Sequence, residues 1–408
     1  MEEKILPILR FDNFNDYWRT SSLLSQVEVR RGLTYKPNDV RSKGARVLRS
    51  SNIVDDSFVI ADDDVFVSKD VINIPRVSNG DILVTAANGS TKLVGKHAII
   101  KNLPGDEIVV HGGFMLLFKT EQNYFVNAWM SSNEYKRVLQ FVQGGNGAIG
   151  NLSSAILKST KMSVPSFSEQ SAIGSLFNTF DDLLARYKDN LTNYQSLKAT
   201  MLAKMFPKAG QTVPEIRLDG FEGEWEIKKF KSISTKRGKS NSKGYDYPAY
   251  SVSNQSGLIP QSEQFEGSRL ENLEKTSYKI VEPNEFAYNP ARINVGSIAF
   301  NDLGEIVIVS SLYVIFLLDK SINNNYALLF IKSLEFNKEV RRNTEGSVRE
   351  YLFYDNFANI RIPIPPSLDE QQAIGSYFSN LDNLINSHQE KISQLETLKK
   401  KLLKDMFI

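Results

Sequence analysis

Glu169-Gln170-Ser171-Ala172-Ile173-Gly174-Ser175-Leu176-Phe177 and Glu370-Gln371-Gln372-Ala373-Ile374-Gly375-Ser376-Tyr377-Phe378 are two copies of one stretch. They keep a constant spacing of 201 residues, without a gap, through Asp181 and Asp382 to Met205-Phe206 and Met406-Phe407. A repeat of that length is a statement about architecture. Phe177, Leu184, Leu191, Lys198 and Met205 recur at heptad spacing, as do Phe378, Ile385, Ile392, Lys399 and Met406. With Phe180, Tyr187 and Tyr194, or Leu381, His388 and Leu395, between them, the steps alternate three and four, the signature of a coiled-coil seam. At about 1.5 Å per residue such a helix is a rod on the order of 55 Å long. A rod with a single apolar stripe needs a partner. The equal lengths of the copies make them each other's partner, and the chain between them makes an antiparallel pair the expected arrangement. Lys198 and Lys399 occupy equivalent seam positions, where a polar residue fixes register at some cost in stability.

Outward from the repeat, the longer upstream segments also correspond, more loosely. Pro7-Ile8-Leu9-Arg10-Phe11-Asp12 through Tyr17-Trp18 aligns with Pro214-Glu215-Ile216-Arg217-Leu218-Asp219 through Glu224-Trp225, Arg31-Gly32 with Arg237-Gly238, and Gly80-Asp81-Ile82-Leu83-Val84 with Asn284-Glu285-Phe286-Ala287-Tyr288. The order is kept while the offset shrinks, as in two diverged copies with small loop deletions. Asp81–Thr85, Leu93–Ile100, Phe114–Phe118 and Glu305–Val309 are short apolar, β-branched runs that read as strands. Phe125–Phe141 and Asn325–Arg341 have helical spacing, predicting one helix late in each segment. Pro165 and Pro365-Pro366 break the chain before each repeat, and Ser168 and Asp369 are the expected helix caps. The expectation is an α+β protein of two pseudo-repeated mixed α/β domains, each followed by a long helix. The boundaries are 1–160 for the first domain, 165–207 for its helix, 208–213 for a linker, 214–365 for the second domain and 366–408 for the second helix.

The 408 residues, 41% hydrophobic and 24% charged, are those of an ordinary globular protein of two or three domains. The absence of Cys excludes disulfides and thiolate metal sites and suits a reducing compartment. No basic-then-apolar leader and no membrane-length apolar run occurs, so a cytoplasmic protein with no membrane partner is expected. The net charge of +2 averages unlike regions. Arg30, Arg31, Lys36, Arg41, Lys43, Arg46 and Arg49 crowd one stretch, and Lys228, Lys229, Lys231, Lys236, Arg237, Lys239 and Lys243 the equivalent part of the second half. Two such stretches point to two polyanion-facing surfaces.

Catalytic patterns are missing. His97, His111 and His388 lie far apart without ligand spacing, and no phosphate-binding Gly-x-x-x-x-Gly-Lys-Ser/Thr run occurs. Tyr288-Asn289-Pro290-Ala291-Arg292 departs from the adenine-methyltransferase Asn-Pro-Pro-aromatic loop at its third and fourth positions. Glu226-Ile227-Lys228 has nuclease-like Glu-x-Lys spacing but opens a domain as a charged strand beside Trp225, and Gly144-Gly145-Asn146-Gly147 reads as a flexible turn. A chain with neither a catalytic centre nor a metal site is expected.

Two variable domains alternating with two matched helices, each helix opening on Glu-Gln-x-Ala-Ile-Gly-Ser, resemble the specificity subunit of type I restriction-modification enzymes over essentially the whole chain. The pieces that carry the resemblance include the domain-opening Pro214–Trp225 stretch, Gly80–Val84 with Asn88-Gly89-Ser90 and Gly95-Lys96, and Ile362-Pro363-Ile364-Pro365-Pro366-Ser367-Leu368-Asp369-Glu370-Gln371-Gln372. The first copy approaches its helix through the less proline-rich Lys161–Phe167. The resemblance implies target-recognition domains that each read half of a split sequence in double-stranded DNA, and helices that space the halves and dock two methyltransferase subunits. Those partners would carry S-adenosylmethionine, and two restriction-translocase subunits would bring ATP and Mg2+. The chain itself would be non-catalytic and bind no cofactor. A coiled-coil adaptor with two protein-binding domains, and a specificity subunit of another restriction class, are the alternatives.

Under that reading, Arg30, Arg31, Arg41, Lys43 and Lys92, then Lys236, Arg237, Lys239 and Arg292, are the candidates for phosphate contacts. Base edges need Arg, Asn, Gln or Ser in inter-strand loops. Arg46, Arg49, Asn52 and Asn88, then Ser253, Asn254, Gln255 and Asn294, meet that description, and Tyr245, Tyr247 and Tyr250 lie near them in the chain. Because the two copies diverge most here, the two half-sites should differ.

Overall fold

The computed structural model describes residues 6–142, 150–254, 256–264, 275–343 and 351–407. The chain divides into two compact units, Met1–Asp189 with Glu390–Ile408, and Asn190–Gln389. The first long helix runs Phe167–Lys204 and the second Leu368–Met406. Each therefore begins in one unit and ends in the other.

In the first unit the central sheet is antiparallel, in the order His97–Ile99, Ile82–Thr85, Met115–Lys119, Glu28–Arg31. Its inner strands are apolar at nearly every position because both faces are covered. Ile82, Val84, Leu116 and Phe118 face the helical side, with Trp18, Phe125, Trp129 and Phe177, while Leu83, Leu117, Met115 and Ala98 face a second β layer with Leu48, Ile53 and Val109. That layer is a four-stranded sheet ordered Val109–His111, Ala45–Leu48, Val65–Val67, Val40–Arg41, whose first pair is parallel. Arg19–Ser22 pairs antiparallel with Lys161–Val164, closing the globular part just before the helix starts.

The second unit repeats the central sheet in the corresponding order: Ile298–Phe300, Phe286–Tyr288, Val314–Leu318, Ser234–Arg237. Phe286, Tyr288, Phe316 and Ile298 face its helices, and Ala287, Ile315 and Ala299 face the outer layer. Glu226–Lys229 pairs with Arg361–Ile364 as the closing ladder, so Glu226-Ile227-Lys228 is a strand, with Lys228 paired to Glu226 at 3.0 Å. The outer layer differs from that of the first unit. It consists of the hairpin Tyr250–Ser253/Gly257–Pro260 and the pair Lys279–Val281/Val307–Val309.

Two sequence expectations are corrected here. The late helix of each unit is broken in two: Asn123–Ser131 then Asn133–Leu139, and Asn324–Ile331 then Leu334–Asn343. Ser132 and Ser333 sit at the breaks, and Ser333 Oγ accepts the Phe336 N–H at 3.2 Å, a capping bond that competes with continuing the helix. The long helices start earlier than Ser168 and Asp369. Ser367 Oγ caps the second by accepting the Glu370 N–H at 3.1 Å, and Ser166 Oγ approaches the Glu169 N–H at 3.4 Å.

The helix pairing is antiparallel in both units. In the first, Phe180 and Leu184 pack on Leu395, flanked by Tyr187 and Ile392, while Lys399 bonds Asp181 and Lys188 bonds Glu396. In the second, Tyr194 meets His388 edge-on at 5.2 Å and Lys198 bonds Asp382. The seam lysines are thus not isolated polar groups; each has an aspartate on the opposite helix. The outer seam residues leave the helix pair altogether. Phe177 and Met406 lie in the globular core of the first unit, and Phe378 and Met205 in that of the second, while Leu191 is half-buried and Ile385 buried.

Candidate functional site

The Glu of each Glu-Gln-x-Ala-Ile-Gly-Ser run is completely buried. Glu169 takes a bidentate pair of bonds from Arg10, both at 2.7 Å, and Glu370 takes the same from Arg217. Trp18 Nε1 adds a bond to Glu169 at 3.3 Å. Gln371 accepts the Asn323 N–H at 2.9 Å, and a Cβ on Gly174 would lie 2.8 Å from the Phe125 backbone nitrogen. The repeated motif is therefore the joint between helix and globular domain: carboxylate to the entering arginine, amide to a loop, glycine for close approach. Sequence reasoning used these residues to find the repeat but assigned no role to Arg10, Arg217, Glu169 or Glu370. Their signal was available, because all four sit at matched places in the two copies.

In the first unit, Arg46 and Asn52 are removed from the base-reading candidates. The Arg46 guanidinium is buried between Asp64 and Glu107, each at 2.7 Å, and lies over the Phe66 ring. Asn52 is fully buried, donates to Asp64 Oδ1 at 2.7 Å and accepts the Arg49 N–H at 2.7 Å. Asn52 holds the Arg49–Ser50 turn through that bond, and Arg46 holds the Asp64 carboxylate to which Asn52 donates. That turn forms one wall of a groove of about 890 Å3 whose other walls include Tyr35, Asn88 and Phe114. Arg49 and Asn88 are brought together there, with Asn88 Nδ2 donating to Ser50 Oγ at 3.4 Å. Arg49 Nε has no partner among the described residues, and Phe114 is 65% exposed at the rim. Guanidinium and amide edges beside an apolar rim have the chemistry needed to read base edges and thymine methyl groups.

The other first-unit candidates are dispersed. Arg30 is paired with Glu28 at 2.6 Å, Arg31 donates to Ser154 Oγ at 3.0 Å, and Arg41 Nη1 donates to its own loop carbonyls of Asn38 and Val40. Lys43 and Lys92 are exposed on turns. His97 and His111 are buried, and burial lowers both imidazole pKa values from their ordinary value.

In the second unit, Ser253 and Asn254 lie at the tip of the outer hairpin. The Asn254 carbonyl lies 4.0 Å from where a Gly296 Cβ would be, and Ser297 Oγ donates to the Val252 carbonyl at 3.3 Å. These contacts bring the hairpin tip beside the turn that carries exposed Arg292 and Asn294. Gln255 lies outside the described residues, as does the Gly144–Gly147 run. Lys236 and Arg237 line a separate small cleft with Lys279, Leu312 and Tyr354, where Arg237 approaches Glu285 at 3.7 Å and Lys236 lies over the Tyr354 ring. Lys239 is exposed, and the Tyr245 and Tyr247 rings lie 5.4 Å apart, with Tyr250 half-buried on the hairpin strand.

Among the described residues, no cluster of His, Asp or Glu could hold a metal ion, and no helix is long and apolar enough to cross a membrane.

Residues 222–397 match the family model described as the type I restriction modification DNA specificity domain. Over 409 residues the chain is 23% identical to a protein of Methanocaldococcus jannaschii described as a putative type I restriction enzyme MjaX specificity subunit, covering 95% of this chain and 92% of that one. A second protein of that organism, the type I restriction enzyme MjaVIII specificity subunit, is 23% identical over 272 residues, 62% of this chain and 63% of its own. Among solved structures, a type I restriction-modification system S subunit from M. genitalium has the same fold, with a TM-score of 0.62 at 14% identity over 99% of both chains.

Proposed function

We propose that the chain is a type I restriction-modification specificity subunit, a reading supported by the match of residues 222–397 to that DNA specificity domain and by a described specificity subunit similar over 95% of this chain, and that it reads a two-part, asymmetric DNA target with an unspecified middle. The observation that carries this reading is the contrast between the two layers of each unit. The central sheet recurs strand for strand, whereas the outer β layer, which bears Arg49 in one unit and Asn254 in the other, is built differently. A shared scaffold with divergent outer layers presents two different sets of donors and acceptors, as two different half-sites require. Half-sites read from one side of a duplex lie near whole turns, about 34 Å apart. The paired helices act as the spacer and as the docking surface for two methyltransferase subunits, and through them for two restriction subunits. S-adenosylmethionine, ATP and Mg2+ act in those partners, and this chain, cytoplasmic and non-catalytic, contributes recognition and assembly.

The test is an exchange of residues 23–160, which lie between the paired strands Arg19–Ser22 and Lys161–Val164, for the corresponding part of another specificity subunit. Methylated-base sequencing of DNA modified by the co-expressed complex should show one half of the target replaced and the other unchanged. A change in both halves, or methylation without sequence preference, would overturn the reading.

A further inference from the structure

A second cleft of the first unit, of about 710 Å3, lies between the globular part and the helix pair. Its walls come from the Thr91–Leu93 turn, the helix Asn133–Leu139, the middle of the first long helix and the last turns of the second. Eight lysines line it: Lys92, Lys96, Lys136, Lys188, Lys399, Lys400, Lys401 and Lys404. Lys188 and Lys399 are held by Glu396 and Asp181. The remaining six are in no ion pair among the described residues, against two further carboxylates in the lining, Asp55 and Asp56. Lys400, Lys401 and Lys404 lie outside the heptad seam, so packing of the helix pair does not account for them. Nor does the repeat: 201 residues earlier the same helix positions hold Ala199, Thr200 and Ala203.

We propose that this cleft holds the phosphate backbone of the DNA that the first unit reads, an anchor whose helix lysines have no counterpart in the other copy of the repeat. The proposal rests on the DNA-reading function given above. Lysines, as flexible point charges, suit phosphate oxygens that need no directional readout. Continuity argues for the same duplex in both places. Asn88 and Gly89 wall the reading groove, and Lys92 and Lys96, a few residues along the same segment, wall the basic cleft. A duplex with base edges against Arg49 and Asn88 would then lay its backbone against the lysines. Binding by the first unit should therefore be the more salt-sensitive of the two.

The full-length chain, with a random-sequence duplex as probe, tests this through the slope of log Kobs against log salt, whose magnitude grows by about 0.9 for each phosphate that the protein neutralises. K400Q/K401Q/K404Q should flatten the slope by about 2 to 3. K92Q/K136Q, on the globular wall, should flatten it by about 1 to 2 and serves if the first variant fails to fold. K391Q, on the same helix away from the cleft, should leave it unchanged. Wild-type slopes in both cleft variants would overturn the proposal while leaving the DNA-reading function standing. Loss of co-purifying methyltransferase subunit at an unchanged slope would also overturn it, assigning the lysines to a protein partner. Absence of salt-sensitive binding in the wild type would instead overturn the function itself.

Discussion

At the scale of single residues, the joint at Glu169 and Glu370 shows how a buried charge is made tolerable. Each carboxylate is desolvated, and a guanidinium meets both of its oxygens, so the lost hydration is offset only while the pair is intact. Glu169→Gln should cost about 3–5 kcal/mol of stability, since it leaves Arg10, largely buried, without its counter-charge. E169Q combined with Arg10→Met should recover most of that loss in urea titrations, whereas an unchanged loss would show that the pair contributes little. The buried histidines make a second prediction. Burial lowers the His97 and His111 pKa values in the folded chain, while the unfolded chain takes up protons below about 6.5. Their stabilising effect is therefore complete above pH 6.5 and is lost as pH falls from there toward the folded values, by up to about 1.4 kcal/mol per pH unit per histidine. His111 Nε2 faces the Arg30 carbonyl at 3.2 Å. His111→Gln, which keeps a donor for it, should flatten the fall in melting temperature between neutral and mildly acidic pH.

At the scale of elements, each long helix ends as a plug. Phe407, just beyond the second helix, packs within 5.7 Å of Phe125 and 5.9 Å of Phe177, with Trp18 edge-on at 6.4 Å. Phe206 does the same in the other unit against Tyr326 at 5.5 Å, Phe330 at 5.7 Å and Trp225 at 6.4 Å. Phe407→Ala should cost the first unit, and Phe206→Ala the second, about 3–5 kcal/mol each. Differential scanning calorimetry should show a different transition lowered in each case. This arrangement also explains what could be read in advance. The helices were legible because a heptad repeated twice leaves few other solutions, and the central strands because they are short, apolar and bounded by turn residues. The breaks at Ser132 and Ser333 were not, because apolar spacing continues across them, and a side-chain cap marks the interruption only at Ser333. Arg46 and Asn52 were misplaced for a related reason. A basic or amide residue in a charged stretch looks exposed until its partners Asp64 and Glu107, distant in sequence, are brought beside it.

At the scale of the whole chain, the folded repeat is not the repeat of the sequence. Read from the structure, one unit is the end of a helix, a globular domain and the start of the next helix, which the second unit takes from one continuous stretch, Asn190–Gln389. The first unit takes the same parts from both ends of the chain. The junctions match at the level of single bonds: the Ile216 N–H donates to the Lys204 carbonyl at 3.0 Å, and the Leu9 N–H to the Asp405 carbonyl at 2.8 Å. What is a covalent passage in one unit is a hydrogen-bonded meeting of two distant segments in the other. In topological terms the polypeptide is a ring with one cut. Moving that cut to the 208–213 linker, with a short peptide joining the old ends, should yield the same fold, so the order in which such a gene encodes its two halves is free to rotate.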